Sequence, residues 1–195
     1  MSVPPRAAVL PAAGQAPAAF ARYESTAILF HWLMFVLVAV AYATIELRGF
    51  AERGTAARMI VMELHKWSGV LVLLLAIPRV LWRLIMGAPP PEPGPRAGQL
   101  AGAAVHGLLY LFLFAQPILG LLMSNAAGRV VTLPGLHFGV PPLIGPDPAL
   151  RDVLAGIHEM VGKAFYLVIG LHAMAALFHH YMLGDNTLRR ILPRR

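Results

Sequence analysis

The chain has 195 residues, of which 58% are apolar and only 13% are charged, and its net charge is +7. A soluble domain of this size carries about 25% charged residues, so the composition excludes an ordinary soluble domain and indicates several membrane crossings. The absence of cysteine excludes disulfides, thiolate metal sites and iron–sulfur clusters. The arginines lie beside apolar runs rather than on one basic face, which favours contact with anionic membrane lipid and argues against nucleic-acid binding.

Residues 1–24 are rich in alanine and proline and lack apolar periodicity, so we expect a disordered tail rather than a signal peptide. Four apolar spans follow, over residues 26–46, 60–86, 101–125 and 153–183. Each reaches the roughly 20 residues that a membrane-crossing helix needs. The Pro-rich segment after the second span and the Gly/Pro-rich loop after the third are too broken to cross. Residues 25–195 are therefore predicted to form an all-α, integral membrane four-helix bundle.

The orientation of the bundle is predicted from the basic residues on each side of the membrane. With four spans, both termini lie on one side, which then carries nine Arg and Lys residues against seven on the other side. Most of the nine lie in short segments beside helix ends. The positive-inside rule therefore favours cytoplasmic termini.

Eight histidines are many for a membrane protein of this size, because polar groups in apolar spans are costly. With cytoplasmic termini, His31 lies near the inner side of the first span and His65 near the outer side of the second. On the fourth span, His158 and His172 are 14 residues apart. At 3.6 residues per turn this spacing keeps them within about 40° of one helix face and separates them by about 21 Å.

The fourth helix can therefore present two imidazoles at two depths, each with a partner on another helix. We expect His172 to pair with His31 near the inner side, and His158 to pair with His65 near the outer side. Two imidazoles fill both axial positions of a heme iron, which favours electron transfer over oxygen activation. Without cysteine, the heme must be held non-covalently, so the pattern predicts two heme b groups stacked across the bilayer.

The remaining histidines leave alternatives open. His179 lies seven residues after His172 and shares its helix face, so it competes for the same role. Together with His180 it lies near the cytoplasmic surface, where an interfacial role or a contact with quinone is expected. His106, near the inner end of the third span, either contacts a heme propionate or has no role at the cofactor. His137 is expected on the surface of the long loop.

Three stretches of sequence carry a family resemblance: FHW at residues 30–32, ELRGF at 46–50 and YLVIGLHAMAALFHHYMLGDNTLRRILPR at 166–194. Through them, residues 22–195 resemble the bacterial cytochrome b561 family of di-heme, quinone-linked cytochromes of the cell inner membrane. The positions that match the family's heme ligands are His31, His65, His158 and His172.

The resemblance also implies exchange of electrons with the quinone pool, and it extends to superoxide:quinone oxidoreductases. In such an enzyme periplasmic superoxide gives its electron at the outer heme, and ubiquinone collects it at the inner side, near His179 and His180. Superoxide is an anion, so Arg48, Arg53 and Lys66 are candidates for steering it. Six acidic residues on the same side offset all but one of the seven basic charges there.

Two other functions are compatible with the sequence. The chain could be a heme b subunit that accepts electrons from a separate dehydrogenase, in which case a redox partner protein replaces superoxide as the donor. It could also be a metal transporter with transient histidine ligands, although the spans offer few further polar groups for an ion path. Lys163 and Glu159, four residues apart on the fourth helix, are expected to pair with each other.

Overall fold

The computed structural model describes residues 21–132 and 139–193. In these residues each of four helices is long and apolar enough to cross a membrane, which confirms the all-α prediction. A turn of 3-10 helix, Arg48–Phe50, follows the first helix. The four helices are α1 (Ser25–Leu47), α2 (Ala56–Met86), α3 (Arg96–Ala126) and α4 (Pro148–Tyr181). Most of the predicted tail at residues 1–24 lies outside the described residues.

Three helices begin four or five residues before the apolar runs that predicted them. Polar capping residues set two of these starts, those of α2 and α4, because they satisfy backbone amides that have no partner within the helix. The third helix, α3, follows Pro95 and has no side-chain cap. The Thr55 hydroxyl accepts a hydrogen bond from the Arg58 amide at the start of α2, and Asp147 accepts from the Leu150 amide at the start of α4. Pro148 occupies the first turn of α4, where its missing N–H costs nothing.

The helices pack as two antiparallel pairs, α1 with α2 and α3 with α4, and α2 joins the pairs by packing on α3. Among the described residues, no Cα atom of α1 or α2 lies within 8 Å of a Cα atom of α4. A gap therefore separates α4 from the first two helices. Side chains cross this gap, and the predicted histidine pairs are among them.

The apolar core lies in the middle of the bundle and draws on all four helices. Its buried members are Met34, Val72, Ala76, Leu113 and Phe165. On α4, Phe165 lies seven residues from His158 and seven from His172. The core therefore divides the gap into two parts, one beside His158 and one beside His172.

Both ends of the described chain lie at one end of the bundle, which we call the inner end. There a C-terminal tail, residues 182–193, packs across the helix ends. Trp32 Nε1 donates a hydrogen bond to the Ile191 carbonyl over 2.9 Å, and Arg190 forms an ion pair with Glu92 of the α2–α3 loop at 2.7 Å. The tail thereby ties α1 to the α2–α3 loop.

The opposite, outer end is covered by the loop between α3 and α4. Trp67 Nε1 on α2 donates to the Thr132 carbonyl at 2.9 Å, and the Asn125 side chain accepts from the Leu143 amide at 2.9 Å. These contacts fix the described part of the loop to the helices. The predicted surface position of His137 falls at 133–138, outside the described residues.

Candidate functional site

Near the inner end, His31 of α1 and His172 of α4 face each other across the gap. Their ring centroids are 6.3 Å apart and their planes are inclined by 56°. Both side chains are half-buried. The structure therefore brings together the two residues of the predicted inner pair.

Near the outer end, His65 of α2 and His158 of α4 face each other in the same way. Their ring centroids are also 6.3 Å apart, with the planes at 89°. The two pairs lie one above the other along α4. The structure thus brings together the predicted outer pair as well.

The separation within each pair suits a metal between the rings. An imidazole nitrogen bonds a metal at about 2 Å, so two imidazoles on opposite sides of one metal have centroids about 6.3 Å apart. Among the described residues, no group of three or more His, Asp or Glu side chains gathers to enclose a bare metal ion. A heme iron takes four ligands from its macrocycle and leaves two positions for protein side chains, so the residues of each pair fit heme b.

A backbone contact orients the His65 ring as a metal ligand. Its Nδ1 lies 2.8 Å from the Ala41 carbonyl of α1, and because a carbonyl only accepts, Nδ1 carries the proton. The tautomer leaves Nε2 unprotonated and able to bind a metal. Ligating histidines commonly use their second nitrogen in this way, which fixes the ring and strengthens the ligand.

His158 is held by α3 at two points. A Cβ atom added to Gly120 would lie 3.2 Å from His158 Cε1, so the ring rests against bare backbone. One helix turn earlier, Gln116 Nε2 donates to the His158 carbonyl over 2.8 Å. These contacts set the position of the His158 ring relative to α3, and neither was predicted from the sequence.

A polar bridge crosses the gap on the inner side of the His65–His158 pair. The Tyr42 hydroxyl of α1 donates to the Gly162 carbonyl of α4 at 2.9 Å. The Tyr42 ring lies on that of Tyr166, with centroids 3.8 Å apart. The bridge joins α1 to α4 where their backbones do not approach each other.

Comparison with known proteins identifies the family of the chain. The family model of prokaryotic cytochrome b561 matches residues 22–194. The chain belongs to the prokaryotic cytochrome b561 family. It is therefore a multi-pass membrane protein of the bacterial inner membrane, from a heme b-binding family that transfers electrons. This membership favours electron transfer over the metal-transport hypothesis.

Curated relatives match over nearly their whole length. "Cytochrome b561 homolog 1" of Escherichia coli (strain K12) is 35% identical over 175 residues, which cover 89% of this chain and 98% of the relative. "Probable superoxide oxidase CybB" of Yersinia pestis is 38% identical over 176 residues, covering 89% and 97%. "Cytochrome b562" of Cereibacter sphaeroides is 30% identical over 174 residues, covering 87% and 94%.

A third histidine of the cytochrome, His106 of α3, lies beside the inner pair. Its ring centroid is 5.2 Å from that of His172, closer than His31 is. This distance is too short for a metal between two imidazoles on opposite sides. His106 is therefore a neighbour of the inner pair rather than a competing partner for His172.

The two histidines at the end of α4 have different surroundings. His179 Nδ1 donates to the Asp185 carboxylate at 2.5 Å, which joins it to the C-terminal tail rather than to the inner pair. Burial raises the pKa of Asp185, but hydrogen bonds from His179 and the Thr187 amide lower it by more, so this pKa lies below its usual range. His180 Nδ1 is buried without a hydrogen-bond partner among the described residues.

Some basic residues at the outer end of the cytochrome form ion pairs with neighbouring acids, and others do not. Several are engaged locally: Lys66 with Glu63 at 2.5 Å, and Lys163 with Glu159 at 2.6 Å, the latter as predicted. Arg48 is exposed and, with Lys66, lies within electrostatic range of His65. Of the three predicted steering residues, Arg48 is therefore the best placed.

Arg53 and Arg58 belong to the connection between α1 and α2. Arg58 Nη1 donates to the carbonyls of Arg48 at 2.7 Å and Ala51 at 3.0 Å, so it holds this connection in shape. Arg53 is exposed in the same connection. Its charge contributes to the field at the outer end without a described contact to the histidine pair.

Proposed function

We propose that the chain binds two heme b groups and carries electrons from periplasmic superoxide to ubiquinone. The single observation that supports this most is the repetition of one geometry. Two histidine pairs with the same 6.3 Å separation lie at two depths in the gap beside α4. In this proposal the inner end, with both termini, faces the cytoplasm.

The histidines have one task at each depth. His65 and His158 hold the outer iron, and His31 and His172 hold the inner iron. A heme b with two imidazole ligands accepts and releases one electron at a time and has no open position for oxygen. The Ala41 carbonyl on His65 and Gly120 against His158 keep the outer rings in place.

The overall reaction balances with protons taken up at one end. Each superoxide gives one electron at the outer end and leaves as dioxygen. Two electrons and two protons convert one ubiquinone to ubiquinol at the inner end. His179 and His180 lie at that end, so they are the proposed contacts for the quinone head group.

The charge at the outer end decides how well superoxide is steered. Arg48 and Lys66 are the cations within electrostatic range of His65. Lys66 forms an ion pair with Glu63, whereas none of the described ion pairs includes Arg48. We therefore expect Arg48→Gln to slow heme reduction by superoxide several-fold at low ionic strength and less at high ionic strength, because salt screens exposed charges. Arg53→Gln is the matched control, with the same charge change farther from the pair.

The proposal is tested by adding superoxide to the purified cytochrome with ubiquinone present, and by following the heme spectrum and ubiquinol. Fast heme reduction and ubiquinol formation support it. Because most outer cations are engaged locally, a redox partner protein is the second candidate donor. Hemes that superoxide leaves oxidised, while a co-purifying dehydrogenase reduces them, would assign the chain to that subunit role.

A further inference from the structure

Arg79 is a basic residue inside a membrane-spanning helix. It lies 14 residues after His65 on α2, the same interval that separates His158 from His172 on α4. Such an interval places two residues within about 40° of one helix face and about 21 Å apart along it. Arg79 therefore faces the gap at the depth of the inner histidine pair.

The contacts of Arg79 agree with this position. Its guanidinium carbon lies 5.9 Å from the centroid of the Tyr110 ring on α3, and it is within electrostatic range of His31, His106 and His172. These histidines come from α1, α3 and α4. The charge is thus directed toward the inner cofactor position.

Arg79 has a charge and a donor that the described chain does not satisfy. Its Nε is buried without a hydrogen-bond partner among the described residues, and none of their ion pairs includes it. Trp82 Nε1, three residues on and therefore on a neighbouring part of the same face, is also buried without a described partner.

A guanidinium in an apolar span needs a counter-ion, because an unpaired buried charge is strongly unfavourable. Of the three acids at the inner end, Glu92 binds Arg190 and Asp185 binds His179. Glu24 is exposed at the start of α1, and no described ion pair joins it to Arg79. A carboxylate of a ligand is therefore the anion that suits this position. Heme carries two propionate carboxylates, and a guanidinium binds a carboxylate by charge and by directed hydrogen bonds.

We infer that Arg79, with Trp82 beside it, forms the binding site for a propionate of the inner heme. The inference rests on the proposed inner heme and adds a residue that orients it. Neutralising a carboxylate close to the iron also favours the reduced state, which carries less positive charge. Arg79 therefore raises the reduction potential of the inner heme and makes electron transfer from the outer heme more favourable.

The first test is a redox titration of the intact cytochrome that resolves the two hemes. Arg79→Gln is expected to lower the equilibrium constant for reduction of the inner heme at least tenfold, which is about 59 mV for one electron. The outer heme should change less than twofold. Arg79→Lys should retain most of the effect, and Arg96→Gln, an exposed charge at the start of α3, should change neither heme by more than twofold.

A second test keeps the protein unchanged and alters the cofactor. Heme-depleted wild-type cytochrome is reconstituted with heme or with its dimethyl ester, which lacks the carboxylates. The ester is expected to occupy the inner site at least tenfold more weakly, with a smaller loss at the outer site. The reconstitution experiment tests the propionate site even if the Arg79→Gln protein does not accumulate.

An inner-heme equilibrium constant within twofold of wild type in Arg79→Gln would overturn the inference, as would equal inner-site affinity for heme and its ester. Selective loss of the inner heme in Arg79→Gln would support it. Wild-type protein without two hemes would instead contradict the proposed function, so the two failures are distinguishable.

Discussion

Gly120 offers a test of the outer site that leaves both histidine ligands in place. A Cβ atom at this position would lie 3.2 Å from Cε1 and 3.6 Å from Nδ1 of His158, so the ring must shift by a few tenths of an ångström to admit alanine. A free ring could turn away. A ring bound to iron has little freedom, since metal–ligand distances hold to about 0.2 Å.

The free-energy cost of a side chain at Gly120 follows from overpacking of the space beside His158. Extra methyl groups in a packed site cost about 1–3 kcal/mol. If the cost falls on the heme-bound state, outer-heme affinity drops by roughly 5- to 150-fold. Gly120→Ala should lie near the lower limit and Gly120→Val near the upper one, because valine adds two further methyl groups toward the ring.

Heme occupancy is measured by pyridine hemochrome, and the outer heme is distinguished by its visible and electron paramagnetic resonance spectra. Gly98→Ala is the matched control, because it lies on the same helix and a Cβ there meets nothing within 4 Å. Gly120→Val protein with two hemes at wild-type affinity and an unchanged outer-heme spectrum would refute the assignment of His158.

Three further outcomes follow from contacts around the sites. Tyr42→Phe removes the hydrogen bond to the Gly162 carbonyl and should lower the free energy of unfolding by about 0.5–1.5 kcal/mol in thermal or denaturant unfolding, with heme content unchanged. Gly162→Ala places a Cβ 2.8 Å from Gln116 Nε2 and should lower the melting temperature; adding Gln116→Ala should recover part of the loss, and no recovery would contradict this reading. The pKa of Asp185 lies below its usual range, so Asp185 stabilises the docked tail fully at pH values above the ordinary carboxyl pKa. This stabilisation is lost as the pH falls through the lowered pKa. Protease cleavage of the tail should therefore rise in acid for the wild type, whereas Asp185→Asn should be cleaved readily near neutral pH and should lack this acid transition.

The histidine pairs could be predicted because helix geometry is regular. The interval of 14 residues on α4 fixes both the face and the depth of His158 and His172, and the order of the spans supplies a partner at each depth. The structure agrees with both pairings. Their role as heme ligands stays a prediction.

Other features could not be predicted because they depend on how each helix is rotated against its neighbours. A carbonyl such as that of Ala41 leaves no trace in the sequence, and Gly120 is one of many glycines in the spans. The starts of α2 and α4 were predicted too late because the apolar pattern begins after the capping residues Thr55 and Asp147.

The position of Arg79 could be predicted from its spacing along α2, although the count of basic residues on each side of the membrane does not show it. Counted with the inner-side arginines, it contributes to the prediction of topology. Its interval from His65 equals that between His158 and His172, which places it at the inner pair rather than at the membrane surface. The same spacing, applied to every polar residue of α2, identifies Arg79.

In the proposed function one chain holds two hemes, each between two histidines. Pyridine hemochrome analysis of purified protein, set against the protein concentration, measures the number of hemes per chain. We expect two heme b per chain, both six-coordinate and low-spin, with one heme remaining in His65→Ala and one in His31→Ala. A wild-type chain with one heme or none, or a His65→Ala variant that keeps two unchanged hemes, would contradict it.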